Sequence, residues 1–226
     1  MRRLLLKLSP NSEPVDFNHL HILAGILHRW LGHNEEHDGL SLYTFSWLKG
    51  ASARQGALHF PKGATWAISA LKDDFLMRNM SGILRDPAMR WGMRVEQIQV
   101  QAPPAFPEGV SEQRFLCASP IFIKRQQPDG EEKHILYSDP LSDQFLTETL
   151  CHKLRAAGFS PEGVSVRFDR SYPKARSQKV MYRHIGNMAN YCPVFVQGTP
   201  EQLAMAWTVG LGSSTMSVVA MISSRL

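Results

Sequence analysis

From residue 2 to residue 101 the sequence passes through two hydrophobic periods in a fixed order, and that order leaves few folds open. An apolar opening stretch, residues 2 to 9, reads as a strand and stops at the turn-forming run Ser9-Pro10-Asn11-Ser12. Leu20, Leu23, Leu27, Trp30 and Leu31 then recur at helical spacing, Ile22 and Ile26 widen the stripe, and Asp16 or Asn18 is placed to cap it. Residues 42 to 48 carry the aromatic and β-branched side chains of a strand, with further strands expected near 56 to 60 and 64 to 70. A second helix is predicted over 71 to 84, ending before Asp86-Pro87, and a closing strand over 94 to 101. Strand, helix, strand, strand, helix, strand is the split βαββαβ arrangement of ferredoxin-like and RNA-recognition-like modules.

Pro103-Pro104 and Pro107-Glu108-Gly109 break the pattern, which then starts again. A strand is expected from Phe115 to Lys124, a turn at Gln127-Pro128-Asp129-Gly130, and a hairpin partner from His134 to Tyr137. A helix over 142 to 157 ends at Gly158, and strands follow over 164 to 168, 179 to 185 and 191 to 197. Thr199-Pro200-Glu201 opens a short helix with threonine and proline at their favoured N-cap and N1 positions, and residues 216 to 222 close the sheet. The chain is therefore expected to be α+β, with one unit over residues 1–110 and a second over 111–226.

Composition narrows the function classes. With 43% apolar and 20% charged residues the 226-residue chain can build cores and is no disordered charged tail. A formal net charge of +5 favours an anionic partner, and the clustering of that charge says more than its sum. Cys117, Cys151 and Cys192 are odd in number and lack a C-x-x-C spacing, so neither a disulfide framework nor a cysteine zinc site is expected and a reducing cytoplasm fits. The apolar run at the N-terminus is broken by Lys7 and closed by Pro10, and no run approaches the roughly 18 residues needed to span a bilayer, so no membrane partner is expected.

Three groups of residues carry candidate chemistry. Thr208-Val209-Gly210-Leu211-Gly212-Ser213-Ser214-Thr215 offers Gly210 and Gly212 for close backbone approach to an anion and the hydroxyls of Ser213 and Ser214 as donors. It lacks the Gly-Lys-Ser/Thr of a Walker loop and the third glycine of a dinucleotide fingerprint, which leaves a backbone grip on a bound polymer. Upstream, Arg167, Arg170, Lys174, Arg176, Lys179 and Arg183 face a single acid within the segment, Asp169, and Lys179 and Arg183 on one strand would share a face able to track phosphates. Five of the nine histidines fall between His19 and His37. His21, Gly25, His28 and Gly32 form one line along the first helix, while His19 and His21 read as a solvated polar face. In His33-Asn34-Glu35-Glu36-His37, either His37 or His33 suits a general base at neutral pH. The same five residues match the inverted zinc-protease pattern, but no third ligand on a following helix accompanies them, so no metal is expected.

In their order and spacing, several motifs resemble the CRISPR-associated endoribonucleases that cut repeat RNA into guide RNAs, the sixth Cas family. They are Met1-Arg-Arg-Leu-Leu-Leu-Lys-Leu-Ser-Pro, Asp16-Phe17-Asn18-His19, Tyr43-Thr44-Phe45-Ser46-Trp47-Leu48, Ala118-Ser119-Pro120-Ile121, Tyr137-Ser138-Asp139-Pro140 and Val209-Gly210-Leu211-Gly212, which span nearly the whole chain. The resemblance implies two tandem ferredoxin-like domains with CRISPR repeat RNA, single-stranded or hairpin, in the cleft between them. It further implies metal-independent transesterification without a cofactor. On that basis His37 takes the place of the general base, with His33 as competitor. His28 stands where many members carry a tyrosine, as general acid or phosphate holder, and Tyr43 or Lys49 supplies a further donor. Lys174, Arg176, Lys179, Arg183, Gly210, Gly212, Ser213 and Ser214 become the RNA-binding set. The chain departs from the family in reading Val218-Val219-Ala220-Met221 where a second glycine-aromatic-glycine is usual. The alternative implied is a catalytically silent RNA-binding subunit of an effector complex, and other effector subunits or a second copy are further candidate partners.

Overall fold

The structure, a computed structural model, describes residues 1–32, 40–127, 130–182, 185–213 and 222–223. Strand β1 (Arg2–Leu8) buries Leu4, Leu6 and Leu8 on one face and turns Arg3, Leu5 and Lys7 to the other. Helix α1 (Leu20–Leu31) presses Leu20, Leu23, Leu27, Trp30 and Leu31 onto the buried face. Neither Asp16 nor Asn18 caps it. The N-cap is His19, whose Nδ1 lies 2.8 Å from the Asp16 carbonyl and whose own carbonyl accepts from the Ile22 and Leu23 amides.

After β2 (Tyr43–Phe45), a hairpin of β3 (Ser52–Arg54) and β4 (Ala57–His59) precedes β5 (Ala64–Ala70), α2 (Asp73–Arg85) and β6 (Val95–Gln101). The expected strand near 56 to 60 is thus one arm of a hairpin. The four-stranded antiparallel sheet runs β2-β5-β1-β6, with Leu6 opposite both Trp66 and Ile98. Helices α1 and α2 are in close contact because Gly82 places no side chain against the Trp30 backbone, where a Cβ would overlap the carbonyl.

The second half repeats the order with longer insertions. Strand β7 (Ser111–Cys117) is followed by the hairpin β8 (Lys124–Gln126) and β9 (Glu132–His134), helix α3 (Ser142–Ala156) and β10 (Ser165–Phe168). A second hairpin, β11 (Arg176–Tyr182) and β12 (Ile185–Tyr191), leads to β13 (Val194–Gly198), α4 (Pro200–Val209) and β14 (Ile222–Ser223). The sheet order β10-β13-β7-β14 is that of the first half, so each half is a ferredoxin-like unit.

Three strand expectations are corrected. The single strand expected from Phe115 to Lys124 is two, because the chain breaks at Ser119-Pro120, where proline supplies no ladder donor. The strands expected over 179 to 185 and 191 to 197 are the hairpin β11–β12 and, after a break at Pro193, β13. The expected partner at His134 to Tyr137 lies earlier, at β9. The α4 cap is as expected: the Thr199 hydroxyl accepts from the Gln202 amide while the Gln202 side chain accepts from the Thr199 amide.

The halves are packed together. Ala118, Phe122, Val180 and Ala189 of the second half join the hydrophobic core of the first, α1 touches β11, and α4 touches β2 and β5.

Candidate functional site

Of the sequence-predicted catalytic residues, His28 and Tyr43 are brought together. His28 lies in the last turn of α1, and Tyr43 opens β2, where pairing with Ala70 of β5 fixes it at the edge of the first sheet. The Tyr43 ring is buried and stacked on Phe75, with centroids 4.5 Å apart, so its hydroxyl is aimed rather than free to swing. That hydroxyl lies 3.5 Å from His28 Nε2, and the two rings meet edge to face. Gly25, one turn earlier on the same helix line, leaves open space where a side chain would stand. A phenol and an imidazole at this separation can hold or pass a proton beside a bound phosphate. His33 and His37 lie outside the described residues.

His19 is not on a solvated face. Its ring is 1% exposed, edge-on to Trp47 at 5.7 Å and to Trp91 at 6.0 Å, and burial holds it below the ordinary histidine range. His19 precedes the helix, so the helical line that separates His21 and His28 from the apolar stripe does not apply to it. Lys49, the other expected donor, pairs with Thr65, whereas Tyr43 pairs with Ala70. Five residues of strand at about 3.3 Å each put the two roughly 17 Å apart.

The basic segment divides in two. The Arg167 guanidinium makes a double hydrogen bond to Glu112, at 3.0 and 2.7 Å, and lies over the Phe195 ring. Arg170 likewise grips Asp143, at 2.7 Å. These two cations are therefore neutralised by acids the segment itself does not contain. Asp169 pairs with Arg114 at 2.7 Å, and the Ser171 hydroxyl and that guanidinium hold it below the usual carboxylate range. Lys174, Arg176 and Lys179 are exposed and have no acidic partner among the described residues. Arg176 lies over the Tyr191 ring, which in turn meets Trp47. Arg183 lies outside the described residues, and its expected alignment with Lys179 is not described.

The glycine loop starts where α4 ends. Gly210 adopts φ +68°, a backbone conformation that favours glycine, and its amide donates to the Ala206 carbonyl. The Ser213 amide donates to the Phe122 carbonyl, and the Ser213 hydroxyl accepts from the Lys124 amide at 3.4 Å. Gly210 and Gly212 are buried. Two of the loop's amides, those of Gly210 and Ser213, thus serve the fold. Ser214 lies outside the described residues.

Two further groupings were not read from sequence, although Lys49 of the first was named there as a donor. The face of the first sheet away from α1 and α2 forms a groove of about 490 Å³ whose lining includes Lys7, Lys49, Lys62, Gln97 and Gln99 and no acid. The alternation of β1, with Lys7 between Thr65 and Gln97, was the available signal. The second is Lys153, buried on α3; its spacing with Leu146, Leu150 and Leu154 places it on that helix's apolar face, a pattern visible in the sequence.

Residues 103–221 match the family described as CRISPR associated protein Cas6, C-terminal. By sequence, no curated protein matches the chain. Among solved structures, a CRISPR associated protein Cas6 superposes with a TM-score of 0.80 at 18% identity, covering 100% of this chain and 99% of that one. A RAMP protein described as binding different RNA substrates gives 0.83 at 15% identity over 99% of each chain. The product of a Cas6-related gene from Pyrococcus furiosus gives 0.80 at 16%, covering 98% of this chain and 97% of that one. At these identities the likeness is one of fold. More than half of the sequence lies within the matched segment, and the chain belongs to the family of the CRISPR associated protein Cas6, C-terminal.

Proposed function

We propose that the protein is an endoribonuclease that cuts CRISPR repeat RNA without a metal. One observation carries the reading: the elements holding His28 and Tyr43 are in contact with the basic hairpin and with the helix that opens the glycine loop. The ribose 2′-oxygen attacks the adjacent phosphorus as a general base takes its proton. The bond from phosphorus to the 5′-oxygen breaks, and the leaving oxygen receives a proton. The products are a 2′,3′-cyclic phosphate and a 5′-hydroxyl, so atoms and charge balance with no cofactor. His37 is the favoured base and His33 its competitor. His28 protonates the leaving group or holds the phosphate, and Tyr43 orients it. Lys174, Arg176, Lys179 and Arg183, with the loop from Gly210 to Ser214, grip the RNA, and the groove at Lys7, Lys49 and Lys62 adds a second wall of the cleft. Residues 1–110 and 111–226 are its two domains.

Incubating the protein with end-labelled repeat RNA in excess EDTA tests this. Cleavage leaving a cyclic phosphate is expected; binding without cutting would replace the proposal by a silent RNA-binding subunit. That second reading is favoured by the likeness to the RAMP protein described as binding different RNA substrates.

A further inference from the structure

Two buried cations, one from each half of the chain, converge on the last turn of α4. Arg3, on β1, donates through Nη2 to the Trp207 carbonyl at 2.8 Å and through Nε to the Ser69 hydroxyl at 2.6 Å, with its guanidinium 3.6 Å from the Trp207 ring centroid. Lys153, on α3, donates through Nζ to the Val209 and Gly210 carbonyls, each at 3.1 Å. Both side chains are nearly inaccessible to water. Burial draws Arg3 down to about 9 and Lys153 down to about 7.

The closing carbonyls of a helix lack intrahelical donors and carry its negative end, so cations suit them. Burying a cation is nonetheless costly, and apolar side chains of similar size would pack the same space at less expense of free energy. What hydrogen-bonded cations add is direction. Lys153 grips the carbonyls at which α4 gives way to the loop, and the loop's far side is tied by the Ser213 amide to Phe122. Arg3 joins the same turn to Ser69, which pairs with Thr44 beside Tyr43. A single guanidinium therefore spans from the helix that opens the loop to the strand that backs Tyr43.

We infer that Arg3 and Lys153 are positioning residues that together fix the Gly210–Ser213 segment relative to the His28–Tyr43 pair. The inference rests on the endoribonuclease reading for its consequence in catalysis, but its structural part can be measured without RNA.

The experiment uses the full chain and the variants Arg3→Met, Lys153→Met and Ser69→Ala. Amide hydrogen exchange of residues 210–213 is followed where every protein is folded, alongside RNA affinity and single-turnover cleavage at saturating enzyme. Lys153→Met should speed exchange of the segment by about tenfold or more without a matching change in strands β1 and β5. Arg3→Met should slow cleavage at saturation by about tenfold to a hundredfold while leaving the RNA Kd within about threefold, since a misplaced site loses rate rather than grip. Ser69→Ala deletes a hydroxyl and no charge, so it carries the test in the same direction if Arg3→Met does not fold. Lowered thermal stability with unchanged segment exchange and unchanged cleavage would overturn the inference. If exchange responds as expected but the wild-type protein neither binds nor cuts repeat RNA, the positioning device stands and the endoribonuclease reading falls. If the wild type cuts and the variants match it in both readouts, the reverse holds.

Discussion

The Tyr43 hydroxyl stands 3.5 Å from His28 Nε2, and the tyrosine ring is held there by its stack on Phe75. Tyr43→Phe keeps the stack and deletes only the oxygen. It should slow repeat-RNA cleavage by about tenfold to a hundredfold, and His28→Ala by about a hundredfold or more, as expected when a group that holds or moves a proton is removed. The unfolding free energy in urea should fall by no more than about 1 kcal/mol for Tyr43→Phe, the net worth of one hydrogen bond. Single-turnover rates and equilibrium unfolding check both. Full activity in Tyr43→Phe would remove the phenol from the chemistry.

The division of the basic segment makes a sharper prediction than its net charge does. Lys174 and Lys179 have no acidic partner among the described residues, whereas Arg167 is committed to Glu112. Replacing both lysines by alanine should weaken RNA binding and reduce the slope of log affinity against log salt by about 1.4, at roughly 0.7 per phosphate contact on a single strand. Arg167→Ala should leave the slope unchanged. Filter binding from low to moderate salt distinguishes the outcomes, and an Arg167 effect as large as that of the lysines would bring β10 into the RNA-binding surface.

Local signals were legible and tertiary ones were not. The start of α4 is written in adjacent residues, Thr199 as N-cap and Pro200 at N1, and in the structure the Gln202 side chain completes a capping box with Thr199. The β1 strand and the α1 stripe are likewise fixed by nearest neighbours in sequence. The strand expected over 179 to 185 is only part of the hairpin β11–β12, since Gly186, Asn187 and Asn190 are residue types with little strand preference; what makes them strand is burial of Val180 and Ala189 against the other half of the molecule and the hydrogen bonds of Asn190. The charge of the Arg167 to Arg183 segment was overstated for a similar reason: Glu112 and Asp143 approach from 55 and 27 residues away. At the site, His28 and Tyr43 could each be named from sequence, but their meeting depends on the packing of α1 over the sheet edge.

Asn190 is the polar hub of the second half. Its side-chain amide donates to the Ile121 and Ile135 carbonyls, its side-chain oxygen accepts from the Tyr137 amide and the Ser177 hydroxyl, and Asn190 itself is fully buried. Asn190→Ala leaves the Ile135 carbonyl and the Tyr137 amide without this partner, while the Ile121 carbonyl keeps its bond from the Asn190 backbone amide; at about 1–3 kcal/mol for each buried group left unsatisfied the variant should lose about 2 kcal/mol or more. Denaturant unfolding measures this. A loss below about 1 kcal/mol would mean that water reaches the Ile135 carbonyl and the Tyr137 amide and that the hub is less buried than its geometry implies.

Lys153 gives stability a pH dependence of known sign. In the unfolded chain its ammonium has the ordinary value of 10.5, and in the folded chain burial lowers it to about 7. Between those values the unfolded state binds more protons at this side chain, so the cost of burying a charge is relieved and stability rises as pH increases from about 7 toward 10.5. Below about 7 both states are protonated and the penalty is present in full. Cys117 and Cys192, raised by burial to about 12 and about 11, also titrate at alkaline pH, so the informative quantity is the difference between wild type and Lys153→Met. Methionine has nothing to titrate. The wild type should therefore gain stability relative to the variant on going from neutral to alkaline pH, read from urea midpoints. A difference that does not change with pH would show that the ammonium, gripping the Val209 and Gly210 carbonyls, stays charged throughout and that the helix terminus offsets its burial.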